Sequence, residues 1–169
     1  MKKVLIAVDD TKGSKAVLSV FQNLVRPPEE VILVHVEKLE GRSLMIDMLG
    51  EAELSTLKES LKGTDYKEEL DRKAEKVLNY YKKELENGGL IRIKTVIREG
   101  VPADEILRVA EEEEVDLIIT GSNGKKGMLR LITGCVSKDV EKSSKVPVLV
   151  GKSDAHEKVF DVKEVIAAV

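Results

Sequence analysis

The chain has 169 residues, with 28 basic and 31 acidic side chains and a net charge of −3. A domain of this size buries enough surface for a core without staples, and an apolar fraction of 42% excludes a disordered chain. The near-balanced charge excludes a dedicated nucleic-acid binder, which needs a concentrated basic face. The single cysteine, Cys135, excludes a disulfide framework and a cysteine-based zinc site.

No stretch approaches the roughly 18 apolar residues of a membrane span. Met1-Lys2-Lys3 and the short run after it do not make a signal peptide. The expectation is a soluble cytoplasmic protein. Charged residues make up 35% of the chain, Gln22 is its one glutamine and tryptophan is absent. That bias fits a heat-adapted surface and an ordinary solvated one equally well.

Val4 to Val8 is a continuous apolar run ending in Asp9-Asp10, the pattern of a strand buried on both faces. Lys12-Gly13-Ser14 opens a helix whose apolar positions run from Ala16 to Val25 at helical spacing, and Pro27-Pro28 stops it. Val31 to Val36 is a second buried strand. From Glu37 to Gly63 the pattern is less regular, with helical pieces carrying Met45, Met48, Leu54, Leu57 and Leu61; the methionines read as gap fillers. Asp65 to Leu85 predicts a long amphipathic helix, ended by Asn87-Gly88-Gly89.

Leu90 to Ile97 alternates like a strand near a sheet edge, and Gly100-Val101-Pro102 starts the next helix. The acidic run Glu111 to Glu114 reads as a solvated helix end. Val115 to Thr120 is the fourth strand, Gly121 to Thr133 a glycine-punctuated loop, Gly134 to Ser144 a helix and Val146 to Val150 the last strand. Alternating buried strands and amphipathic helices predict an open five-stranded parallel sheet, order 3-2-1-4-5, with helices on both faces. Residues 152 to 169 form a tail with apolar residues at helical spacing from Val159 to Val169, which packs on its own domain or meets a partner.

Ligands of such sheets bind beyond the carboxyl ends of the strands, where the connections reverse direction. Asp9 and the loop after strand four meet there. Glycines let backbone N–H groups approach an anion, a helix N-terminus adds unsatisfied donors, and Lys125 and Lys126 add positive charge. An ionised Asp9 accepts hydrogen bonds only, which suits a ribose hydroxyl or a magnesium ion. The alternative is that the glycines serve turns alone. There is no G-x-x-x-x-G-K-[ST] loop and no G-x-G-x-x-G, against a P-loop NTPase or a standard dehydrogenase. No nucleophile–base–orienter set is visible. His35 reads as a satisfied core histidine, His156 as an exposed tail residue.

Four segments together resemble one family: Val4 to Asp9, Val31 to Val36, Gly100-Val101-Pro102-Ala103 with Ile106-Leu107, and Asp116 to Gly124. They are similar to the universal stress protein (UspA) domain, with its adenine nucleotide alpha hydrolase-like, Rossmann-like fold, over residues 1 to 151. The family's nucleotide motif is G-x2-G-x9-G-[ST]; here Gly121, Gly124 and Gly134 match its glycines. The resemblance implies an adenine-nucleotide (ATP) binding regulatory module of the stress response, with at most weak ATP hydrolysis; the Asp9 carboxylate is the candidate Mg ligand. It implies that Ala7, Asp9 and Val36 line the adenine–ribose end. Gly121, Ser122, Asn123, Gly124, Lys125, Lys126, Gly127, Gly134, Cys135, Val136 and Ser137 would hold ribose and phosphates. It also implies a homodimer through the last strand, Val146 to Val150.

One residue departs from the motif. Cys135 stands where the family's nucleotide binders carry serine or threonine, and a thiol donates more weakly than a hydroxyl. The loss to a charged phosphate is worth about 1.5–3 kcal/mol, which Ser137 or Thr133 could offset. A thiol at a helix start can also become oxidation-sensitive. Alternative readings are a partner-binding stress module with an empty pocket, a weak ATPase, and a flavin or electron-transfer domain of the same architecture.

Overall fold

The computed structural model describes residues 1–37, 50–89, 91–122 and 135–152. Five parallel strands form one sheet: β1 (Lys3–Ala7), β2 (Glu30–Glu37), β3 (Arg92–Glu99), β4 (Leu117–Ser122) and β5 (Val148–Lys152). Their order is β3-β2-β1-β4-β5, as the alternation of elements predicts. The helices are α1 (Lys12–Leu24), α2 (Glu51–Leu61), α3 (Asp65–Glu86), α4 (Pro102–Glu112) and α5 (Val136–Ser143).

The period-2 geometry of a strand sends alternate side chains to opposite faces, and β1 shows why its run is apolar throughout. Val4, Ile6 and Val8 join Val17 and Phe21 of α1 and Val77, Leu78, Tyr81 and Leu85 of α3 in one core. Leu5 and Ala7 join Ala103, Ile106 and Val109 of α4 and Val140 of α5 in the other. The strand is wedged between two cores. The described side chains of α2 enter neither. The expected helical pieces at Met45 and Met48 lie outside the described residues, and so does the tail from residue 153.

Local chemistry sets the helix ends. Thr64 caps α3, its hydroxyl oxygen accepting the Lys67 N–H at 3.3 Å. Proline stands in the first turn of α4, where its missing N–H costs nothing. Helix α1 stops at Leu24, with Val25 already extended, two residues ahead of the prolines. At Gly151 of β5 a Cβ would stand 2.8 Å from the backbone carbonyl carbon of Ala16. Glycine there lets α1 lie directly on the last strand.

The bounds of β4 and β5 differ from the sequence reading. β4 begins at Leu117 because Val115 and Asp116 are spent on a connection: Val115 N–H closes the end of α4 on Ala110 O at 3.1 Å, and the Asp116 carboxylate accepts the Lys2 and Lys3 N–H groups at 2.5 and 3.1 Å. β4 then continues through Gly121 and Ser122, which the sequence reading places in a loop and which pair with Gly151 and Lys152. β5 correspondingly starts at Val148, after a turn in which the Ser144 hydroxyl donates to Val146 O at 2.7 Å. The acidic run is solvated but not idle. Glu111 pairs with Lys145 and Glu113 with Lys94, each at 2.7 Å, and Glu112 pairs with Arg98.

Candidate functional site

A cavity of about 380 Å³ opens at the carboxyl ends of β1, β2 and β4, where the sheet's connections change direction. Its floor comes from Ala7, Val34 and Val36 and from Thr120-Gly121 at the tip of β4. Asp9, Thr11 and Ser14 of the β1–α1 turn form one wall, and Pro102, Ile106 and Val136 face them from α4 and α5. Leu70 and Lys73 of α3 supply another wall.

The β1–α1 turn is built around one carboxylate oxygen. Asp9 Oδ1 accepts the Thr11 N–H at 2.9 Å, the Thr11 hydroxyl at 2.5 Å and the Ser14 hydroxyl at 2.7 Å. The Asp9 N–H returns a bond to Ser14 Oγ at 2.8 Å. An aspartate that folds its own turn in this way begins the helix. All three bonds fall on Oδ1. Under the turn lies Tyr81, fully buried. Burial and the charge of Asp9 push its pKa far up, against a smaller pull from Ser14, so the phenol stays neutral.

His35 is 8% exposed, and its Nδ1 lies 2.9 Å from Val8 O. A carbonyl only accepts, so Nδ1 carries the proton. The ring is satisfied, as the sequence reading expects, and it also borders the cavity.

At the cavity's edge, reaching it through Glu37, stands a charge cluster. Glu37 and Glu99 are register partners on β2 and β3, and Lys67 Nζ lies 2.6 Å from each while also pairing with Asp71. Among the described residues, Glu37, Asp71 and Glu99 are close enough together to hold a cation, and the Lys67 ammonium stands among them. Burial raises the Glu37 pKa against the pull of Lys67. Burial opposes the charge on Lys67, but hydrogen bonds to Asp71, Glu37 and Glu99 outweigh it and raise its pKa.

Of the residues the sequence singles out, the structure brings Ala7, Asp9, Val36, Gly121 and Val136 to the cavity. Ser122, Cys135 and Ser137 follow or precede lining residues without lining it themselves. Cys135 caps α5, and its Sγ lies 3.2 Å from Ser137 Oγ. Asn123, Gly124, Lys125, Lys126, Gly127 and Gly134 lie outside the described residues. Sequence reasoning missed Ser14, Leu70, Lys73 and Ile106. The hydroxyls two and five positions after Asp9 carried a readable signal, that of a side-chain turn opening a helix.

An open, doubly wound α/β domain with a cavity at its topological switch point is the class these features define. Residues 1–152 match the model of the universal stress protein family, and the chain belongs to that family. Universal stress protein MJ0577 of Methanocaldococcus jannaschii is 36% identical over 157 residues, covering 89% of this chain and 94% of that protein. Its solved structure superposes with a TM-score of 0.66 at 32% identity, covering 90% of this chain and 96% of the other. A universal stress protein family protein of Arabidopsis thaliana, solved with AMP bound, has a TM-score of 0.63 at 19% identity over 96% of this chain and 99% of the other. That likeness is one of fold.

Proposed function

We propose that this protein binds an adenine nucleotide, ATP or a close relative, and uses the occupied state as a regulatory signal in a cytoplasmic stress response. One observation carries the reading: the switch-point cavity is bordered by Asp9 on one side and by Gly121 and Val136 on the other, the two ends of the segment that contains the three-glycine motif. Its makeup suits a nucleoside. Val34, Val36, Leu70 and Ile106 offer apolar surface to a base, and Asp9 offers an acceptor to sugar hydroxyls. The glycine segment would take the phosphates, and magnesium would enter with them, near Asp9.

The experiment is gentle purification, denaturation and mass identification of any released nucleotide, followed by titration with ATP and magnesium. Nucleotide released near stoichiometry, or saturable binding that Asp9→Asn weakens, supports the reading. No heat signal and no thermal shift at saturating ATP and magnesium would remove it and leave the partner-binding module.

We also propose a homodimer through the last strand. β5 ends the sheet, and Val148, Leu149 and Val150 are only half-buried there, apolar surface that a second copy would cover. Sedimentation of the purified protein tests it, with a monomer at micromolar concentration as the contrary result.

A further inference from the structure

We propose that Lys73 selects the phosphorylated form of the ligand by leaving Asp10 and pairing with the ligand's anionic group, an inference that rests on the nucleotide reading above. Lys73 and Leu70 stand one turn apart on α3 and both line the cavity. Helix α3 lies outside the glycine motif, so this wall is a second source of recognition. Lys73 Nζ is held 3.1 Å from Asp10 Oδ2 at the cavity rim, and its side chain is 44% exposed.

Charge makes the case. The described lining residues include three carboxylates, on Asp9, Asp10 and Glu37, and one lysine. Glu37 is already engaged by Lys67 at 2.6 Å, and Asp9 is engaged through Oδ1 in its own turn. An anion entering this end of the cavity meets these acids and, among the described lining residues, one cationic side chain, Lys73. A partly exposed ion pair contributes little to stability, so the lysine exchanges partners cheaply. Its four-carbon stem gives the ammonium reach. Asp10 is therefore a competitor: it stores Lys73 at the rim when no anion is present and holds it back when one arrives.

The competition gives opposite signs at two positions. Lys73→Met weakens AMP binding about tenfold, the loss of one hydrogen bond to a charged group, and leaves adenosine within twofold. Asp10→Asn releases the lysine and tightens AMP a few-fold, again without changing adenosine. Lys73→Arg, which keeps the charge, retains most of the AMP affinity. The measurement is calorimetric titration of AMP and of adenosine into the wild type and the three variants, with circular dichroism to establish that each is folded. Equal losses of AMP and adenosine in Lys73→Met would make the residue a plain wall of the cavity and overturn the proposal, as would unchanged AMP binding. Binding of neither AMP nor adenosine by the wild type fails this inference, and absence of ATP–magnesium binding as well fails the nucleotide reading itself; wild-type binding with unresponsive variants fails this inference alone.

Discussion

Glu37 and Glu99 stand side by side as register partners on adjacent strands, and a single ammonium, Lys67 Nζ, lies 2.6 Å from both. Like charges on neighbouring strands destabilise a sheet unless something neutralises them. Here the neutralising group arrives from α3, so one lysine ties the helix that walls the cavity to the two strands beside it. Among the described residues Glu37 Oε1 is buried and without a donor, so the charge of Glu37 rests on the bond from Lys67 to its other oxygen.

Lys67→Met should therefore cost about 3 kcal/mol at pH 7, because removing one partner strands a buried charge. The pH dependence has a definite direction. The folded pKa of Lys67 is raised, so its contribution is complete below the ordinary lysine value of 10.5 and is lost as pH climbs through the folded value. The Glu37 pKa is raised above its ordinary 4.5, so the cost of its ionisation sets in above that pH and vanishes below it. In Lys67→Met the Glu37 carboxylate loses the ammonium that pulls its pKa down and holds its proton more readily. The gap between wild type and variant is widest near neutrality, narrows toward pH 4 and begins to narrow again above pH 10.5, as pH climbs toward the raised folded value of Lys67. Urea unfolding of both proteins across this range measures it; a gap constant with pH would contradict the account.

Gly151→Ala should destabilise the protein by about 1–3 kcal/mol, the cost of forcing an added methyl into packed backbone. The new Cβ would lie 2.8 Å from Ala16 C and 3.0 Å from Ala16 O, and neither can rotate away as a side chain would. Helix α1 must shift, and the Asp9–Ser14 turn at its start shifts with it. Thermal unfolding gives the stability loss, and weaker nucleotide binding by the same variant would show the strain reaching the cavity.

Much of this arrangement was legible in the sequence. Buried runs separated by amphipathic segments require both faces of each strand to be covered, which leaves few alternatives to a doubly wound sheet. Asp9 and Val36 could be placed at the cavity because they end such runs. Lys73 could not. Its cavity wall depends on where α3 crosses the strand tips, and helical spacing reports which face of a helix is apolar without reporting what that face covers. The end of β4 was hidden for a similar reason: Gly121 and Ser122 look like loop residues in isolation, and their pairing with Gly151 and Lys152 is a long-range fact.

Glu114→Gly should stabilise the protein by about 0.5–1 kcal/mol. Glu114 has φ 52° just past the end of α4, a left-handed conformation that costs most side chains energy and glycine very little. Its N–H bonds to Glu111 O at 3.2 Å and the Val115 N–H bonds to Ala110 O at 3.1 Å, the paired closure that ordinarily recruits glycine at this position. Part of the gain is returned as the greater freedom of glycine in the unfolded chain. Chemical denaturation would check the sign; a destabilised variant would mean that the Glu114 side chain contributes more than its backbone costs.

Cys135→Ser brings the helix-start chemistry and the ligand chemistry to one position. Cys135 caps α5 in an extended conformation, and its side chain makes no capping hydrogen bond. Its backbone oxygen already accepts the Lys138 N–H at 2.8 Å and the Asp139 N–H at 3.0 Å, so the backbone is in place for a side-chain cap. Serine is among the strongest residues for that role and typically contributes about 1 kcal/mol. Its hydroxyl is also a better donor than a thiol toward an anion held at the start of α5. The variant should melt higher and bind ATP at least as tightly as the wild type. Higher stability with weaker ATP binding would separate the two effects and assign the thiol a role in the site that a hydroxyl cannot fill; unchanged stability would mean that the Sγ contact with Ser137 at 3.2 Å already does the work of a cap.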